Sequence, residues 1–148
     1  MQTRWLLAAL AVALIAAQGA RADLTAALAE KDLGKRSKLA LDNASDAMKQ
    51  ARTAFAKGDI PGVGTAAAEI RESVDLAYDS LKSTGKDPRK SPKWFKRAEI
   101  ETRNLIKKID TLQRDMDFQD RPMLDKLKAR LQQVHDDLLL GLMEGKKK

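Results

Sequence analysis

Six cations fall within twelve residues of this chain. Lys86, Arg89, Lys90, Lys93, Lys96 and Arg97 are accompanied by a single acid, Asp87. Trp94 and Phe95 lie among them, and Ser91-Pro92 reads as a helix start. Helix N-termini present unpaired N–H groups that attract anions. A basic opening turn beside such a terminus would take a phosphate-like group, an anionic polymer or an anionic membrane surface. Trp94 or Phe95 would add apolar contact. Those aromatics would otherwise close the end of a fold, with the cations lying in a solvated loop.

Other residue types give little chemistry. The chain has one histidine, His135, and no cysteine. Disulfides, thiolate metal sites and a thiol nucleophile are therefore excluded. One histidine makes no metal cluster, and the spacing places it at a core margin as a hydrogen-bonding residue. Asp42/Asp46 and Asp75/Asp79 are i,i+4 carboxylate pairs. Such pairs can do acid–base work, but on helices they read as solvent faces. Glu99/Arg103 and Asp110/Arg114 read as surface ion pairs. Ser37, Ser45, Ser73 and Ser83 lack a nucleophile motif. There is no phosphate-cradling glycine loop and no metalloprotease spacing. No enzyme, no metal and no cofactor are expected. Nucleic acid is not expected as the partner, because helix-turn-helix, aromatic-ladder and zinc-finger patterns are missing.

The elements that position these residues are helical. Leu41, Ala44, Met48, Ala51 and Phe55 alternate spacings of three and four, which puts them on one stripe. Val63, Ala67, Ile70, Val74, Ala77 and Leu81 form a second. Ala98, Thr102, Leu105, Ile109, Leu112 and Met116 form a third, and Leu124, Leu127, Leu131, Val134 and Leu138 a fourth. The expected fold is all-α, an antiparallel up-and-down bundle of four helices at about 35–57, 65–83, 92–117 and 121–143. Gly62 and Gly64 predict a turn before the second helix. Ser91 is expected to cap the third helix and Asp120 the fourth. Leu24 to Asp32 reads as a short extra helix or an extension of the first, with a break at Gly34. In this topology the C-terminal Lys146, Lys147 and Lys148 share an end with the Lys86–Arg97 segment.

Two resemblances bear on this reading. Ala51 to Asp59 resembles the second half of a tetratricopeptide unit over nine residues. No repeat follows at a period of about 34, so a bundle is expected. Ala22-Asp23-Leu24, Lys90-Ser91-Pro92 and the chain's size are similar to exported b-type cytochromes with a four-helix fold. That family implies an axial methionine early in the first helix and a histidine in the fourth. His135 matches the second. No methionine lies between Asp23 and Ala47, and Met48 is well along the helix, so haem is not expected.

Residues 1–22 read as a secretory signal peptide, and 23–148 as one domain. Arg4 precedes thirteen unbroken apolar residues, Trp5 to Ala17. Ala20-Arg21-Ala22 then offers a cleavage site. The apolar run is short of the about 20 residues that span a bilayer. The expected address is the periplasm or the exterior. Loss of Arg4 and Arg21 lowers the net charge from +7 to +5. Residues 23–85 carry −1 and residues 86–148 carry +6, so only the second half attracts anions. The expected function is a non-enzymatic accessory protein that binds an anionic partner through a basic interhelical loop. The alternative is a scaffold bundle that binds a protein partner or a second copy. Leu139, Leu140, Leu142 and Met143 would supply that apolar face. Mass spectrometry of the exported protein should find Asp23 at the N-terminus. Ala20 is the alternative, and an uncleaved Met1 would reject the leader.

Overall fold

The structure is a computed structural model and describes residues 22–146. The expected leader, residues 1–22, lies outside the described residues apart from Ala22, as do Lys147 and Lys148. The fold is an all-α bundle of four long helices and one short one. They are α1 (Thr25–Ala29), α2 (Leu33–Ala56), α3 (Ile60–Ser83), α4 (Lys93–Asp115) and α5 (Asp125–Glu144). A 3₁₀ turn, Arg121–Leu124, precedes α5.

The helix starts depart from the sequence reading in ways that local chemistry explains. The Asp32 carboxylate accepts the Lys35 N–H at 2.9 Å and caps α2 two residues before Gly34. Gly34 is therefore inside the helix, and the break falls at Glu30–Asp32. Asp59 accepts the Gly62 N–H at 2.9 Å, so α3 begins at Ile60 and runs through both glycines. Gly62 is glycine because a Cβ there would overlap the capping carboxylate. Pro61 fits this first turn, where its missing N–H has no partner to lose.

Neither expected cap is made at the later helices. Ser91 does not cap α4, whose boundary residue is Pro92 in helical geometry. The chain is already turning there, with Lys90 and Ser91 N–H groups on the Asp87 carbonyl. Asp120 makes no side-chain cap, and the chain enters α5 through the 3₁₀ turn instead. Arg121 explains why α4 stops at Asp115 rather than 117. Its guanidinium donates to the carbonyls of Met116 at 3.0 Å and Arg114 at 3.2 Å.

All four stripes face the core. Leu41, Ala44, Met48 and Ala51 are buried, with Phe55 half-buried at the end. The expected stripes of α3 and α4, and Leu124 to Leu138 leading through α5, are buried throughout. Chain direction alternates as expected, but the order round the axis is α2, α3, α5, α4. Arg52–Asp115 joins the late ends of α2 and α4, while Gly34 and Trp94 meet at their early ends. These two helices therefore run parallel. Asp75–Arg130 and Tyr78–Asp137 pair α3 with α5 in the same sense. No Cα of α2 comes within 8 Å of α5. The connection from α3 to α4 thus crosses the bundle end diagonally.

Gly34 tests this closure, since a methyl there would overlap the Trp94 indole. Gly34→Ala should lower stability by about 1–3 kcal/mol, read as a lower urea midpoint. In a Trp94→Ala background the same change should be close to neutral. An equal loss in both backgrounds would remove the close contact as the cause.

Candidate functional site

The crossing loop between α3 and α4 is ordered by short polar contacts. Gly85 takes a positive φ of 66°, which suits a residue without Cβ, and turns the chain away from α3. Thr84 Oγ1 donates to the Leu81 carbonyl at 2.7 Å and accepts the Lys86 N–H at 3.2 Å. Asp87 Oδ1 accepts the Arg89 N–H at 2.9 Å. That backbone N–H holds the Asp87 carboxyl below its ordinary pKa, with smaller help from the N–H groups of Lys146 and Lys90.

Gly145 and Lys146, which follow α5, meet this loop. Lys146 Nζ donates to the Gly85 carbonyl at 3.1 Å. Gly145, at φ 80°, lies where a side chain would press on Asp87 and Arg89. The start of α2 shares the same end, since the charge of Lys86 acts on the Asp32 cap. The topology therefore places Lys35, Lys86 and Lys146, from three separate parts of the chain, at one end of the bundle.

The seven residues singled out from sequence divide into two groups. Lys86, Arg89, Lys90, Lys93 and Lys96 are exposed at this end. Together with Lys146, none of them forms an ion pair among the described residues. Trp94 is half-buried against the core over Gly34, and Lys93 Nζ lies 4.7 Å from its ring centre. Arg97 turns toward α2, with Nη2 3.7 Å from Asp42 and 3.9 Å from Glu101. Its Nε is buried without a hydrogen-bond partner among the described residues. Phe95 is only 7% exposed. The aromatics therefore close the bundle end, and the exposed surface there is cationic. The α4 stripe signals this, because residue 95 lies three before Ala98 on the core face. No side chain caps α4, so its first N–H groups are left for solvent or an anion.

The other candidates are structural in geometry. His135 bridges Glu99, at 3.0 Å, and Asp136, at 3.1 Å. Glu99 is buried rather than at the surface, and Arg103 approaches it at 3.4 Å. Asp110 pairs with Lys128, while Arg114 reaches only the Asp110 carbonyl. Asp42, Asp46, Asp75 and Asp79 each have a cation within reach: Lys38, Lys49, Arg130 and Lys82. Among the described residues no group of three or more His, Cys, Asp or Glu side chains could hold a metal ion. The sequence reading overlooked Phe118, which is 85% exposed in the α4–α5 connection.

A carboxylate with a depressed pKa contributes stability above its unfolded value, and loses it as pH falls through the folded value. Asp87 is such a group. Asp87→Asn should speed hydrogen exchange at the Arg89 amide at neutral pH. The difference from the unmodified chain should shrink in acid, below the ordinary carboxylate range. A difference independent of pH would show that the charge of Asp87 does not order the loop.

No known protein family, curated protein or solved structure matches this chain.

Proposed function

We propose that this chain is a non-enzymatic exported accessory protein that captures an anionic partner at one end of its bundle. The observation that carries this reading is the cluster of exposed cations Lys86, Arg89, Lys90, Lys93, Lys96 and Lys146, none of which has an ion-pair partner among the described residues. Three parts of the fold supply them: the crossing loop, the first turn of α4 and the C-terminal tail. Exposed ion pairs are worth about 0.2–1 kcal/mol each, so useful affinity needs many of them at once. An extended anion, either an acidic polymer or an anionic membrane surface, satisfies several together. A single small phosphate does not. Because the aromatics are turned inward, attraction at this end is electrostatic and weakens with salt. Export by residues 1–22 belongs to the same proposal. No helix of the described residues is long and apolar enough to cross a membrane.

One observation favours a second reading. Leu139, Leu140 and Met143 are 40%, 39% and 68% exposed on the last turns of α5. This face would serve a protein partner or a second copy of the chain.

Retention on heparin and on phosphatidylglycerol vesicles tests the first reading. Changing Lys86, Arg89, Lys90 and Lys93 together to Gln should move elution to clearly lower salt while leaving helicity intact. Retention on one matrix alone identifies the class of anion. Unchanged retention on both would remove the proposed site. Light scattering across a concentration series tests the second reading, which predicts a dimer that Met143→Ser weakens.

A further inference from the structure

A second cationic feature lies on a different face, between the parallel helices α2 and α4. A groove of about 460 Å³ is lined by Met48, Lys49 and Arg52 from α2, and by Lys107, Lys108 and Thr111 from α4. Its volume falls in the range of about 300–1,000 Å³ usual for small-molecule sites. A smaller depression of about 240 Å³ continues it past Ser45, Asn104 and Leu105, again beside Lys107 and Lys108. The two lysines therefore stand over the middle of a longer trough.

The lining combines two characters. Met48 underlies the groove but is only 2% exposed, so the apolar surface is that of the stems around it. Lysine and arginine stems form carbon walls while their charged heads stay at the rim. Four cations thus surround a mostly apolar lining. Arg52 is paired with Asp115 at 2.8 Å, and Lys49 lies 3.9 Å from Asp46. Lys107 and Lys108 have no ion pair among the described residues. At the far end of the trough Glu101 supplies a carboxylate, which disfavours an anion there.

We infer that this groove binds a small amphiphilic anion, a carboxylate or sulfate carried on a hydrocarbon body. The head group takes Lys107 and Lys108, and the hydrocarbon covers the alkyl stems of the lining lysines and Arg52. A bare inorganic anion would leave the apolar stems uncovered, and a neutral hydrocarbon would leave the lysines unpaired. Charge complementarity and burial together select a molecule with both parts. This site shares no residue with the basic bundle end and stands whether or not that end binds an anion.

Titration calorimetry with dodecanoate, below the concentration at which it self-associates, tests the assignment. Saturable uptake of one molecule per chain is expected. Lys107→Gln with Lys108→Gln should weaken it about tenfold, as expected for losing two exposed charge contacts. Thr111→Trp, which fills the groove from an exposed position, should abolish it with helicity retained. Inorganic phosphate and neutral dodecyl maltoside should each bind far more weakly than dodecanoate. Changing Lys86, Arg89, Lys90 and Lys93 to Gln should leave dodecanoate binding unchanged. Absence of saturable uptake would overturn the assignment. So would equal affinity in the double lysine variant, or loss of binding through the bundle-end variant alone.

Discussion

The alanine-lined contact between α2 and α3 sets the geometry of everything else. Ala40, Ala44, Ala47 and Ala51 are buried on α2, and Ala66, Ala67 and Ala77 on α3. Small side chains let two helix axes approach closely, and this pair is the most extensively packed in the molecule. A polar link fixes its register: Asn43 donates to Glu69 at 2.7 Å and to Ser73 at 2.9 Å. Helix α4, with its Leu and Ile side chains, and the leucine-rich α5 then fill the remaining side of the core. Because α4 lies beside α2, the chain must cross the bundle end to begin it. The diagonal crossing brings the basic loop to the end of the fold. The wider α2–α4 contact leaves the groove.

Much of this was legible because periodicity reports burial directly. A stripe such as Val63, Ala67, Ile70, Val74, Ala77 and Leu81 must face a partner, and here it does. Periodicity does not say which partner. Nothing in the α2 stripe distinguishes α4 from α5 as its second neighbour, so the order round the axis stayed hidden. The caps were harder still. Gly62 looked like a helix breaker, yet it is the residue that admits the Asp59 carboxylate. Ser91 and Asp120 carry the right functional group, but the incoming backbone of each leaves the cap unmade. The site divides along the same line. Lys86, Arg89, Lys90, Lys93 and Lys96 could be read as a local run. Helical rotation carries Arg97 to another face. Lys49 and Arg52 meet Lys107 and Lys108 only through the fold.

Net charge by half-chain is a poor guide to where the field lies. Residues 86–148 carry +6, yet two of their cations are spent on acids of the first half. Arg97 reaches Asp42, and Arg130 binds Asp75 at 2.7 Å. The traffic also runs the other way, with Arg52 on Asp115. Exposed pairs of this kind add little stability. Their larger consequence is subtraction: they neutralise the sides of the bundle where α4 and α5 meet their neighbours. The uncancelled cations are then concentrated at the crossing loop and over the α2–α4 groove.

Asp87 shows how an acid can sharpen a basic surface instead of diluting it. It is the only acidic residue between Lys86 and Arg97. A carboxylate there would normally pair with an adjacent lysine and cancel part of the field. Here its oxygens face backbone N–H groups, those of Arg89, Lys146 and Lys90. Accepting from the backbone engages the carboxylate while leaving the neighbouring side-chain cations without an ion-pair partner. The same bonds hold the loop against the tail, where Lys146 closes on Gly85. Cations held on an ordered backbone lose less freedom when an anion arrives than cations on a loose one. The single negative charge therefore organises the positive ones, and does so through the main chain.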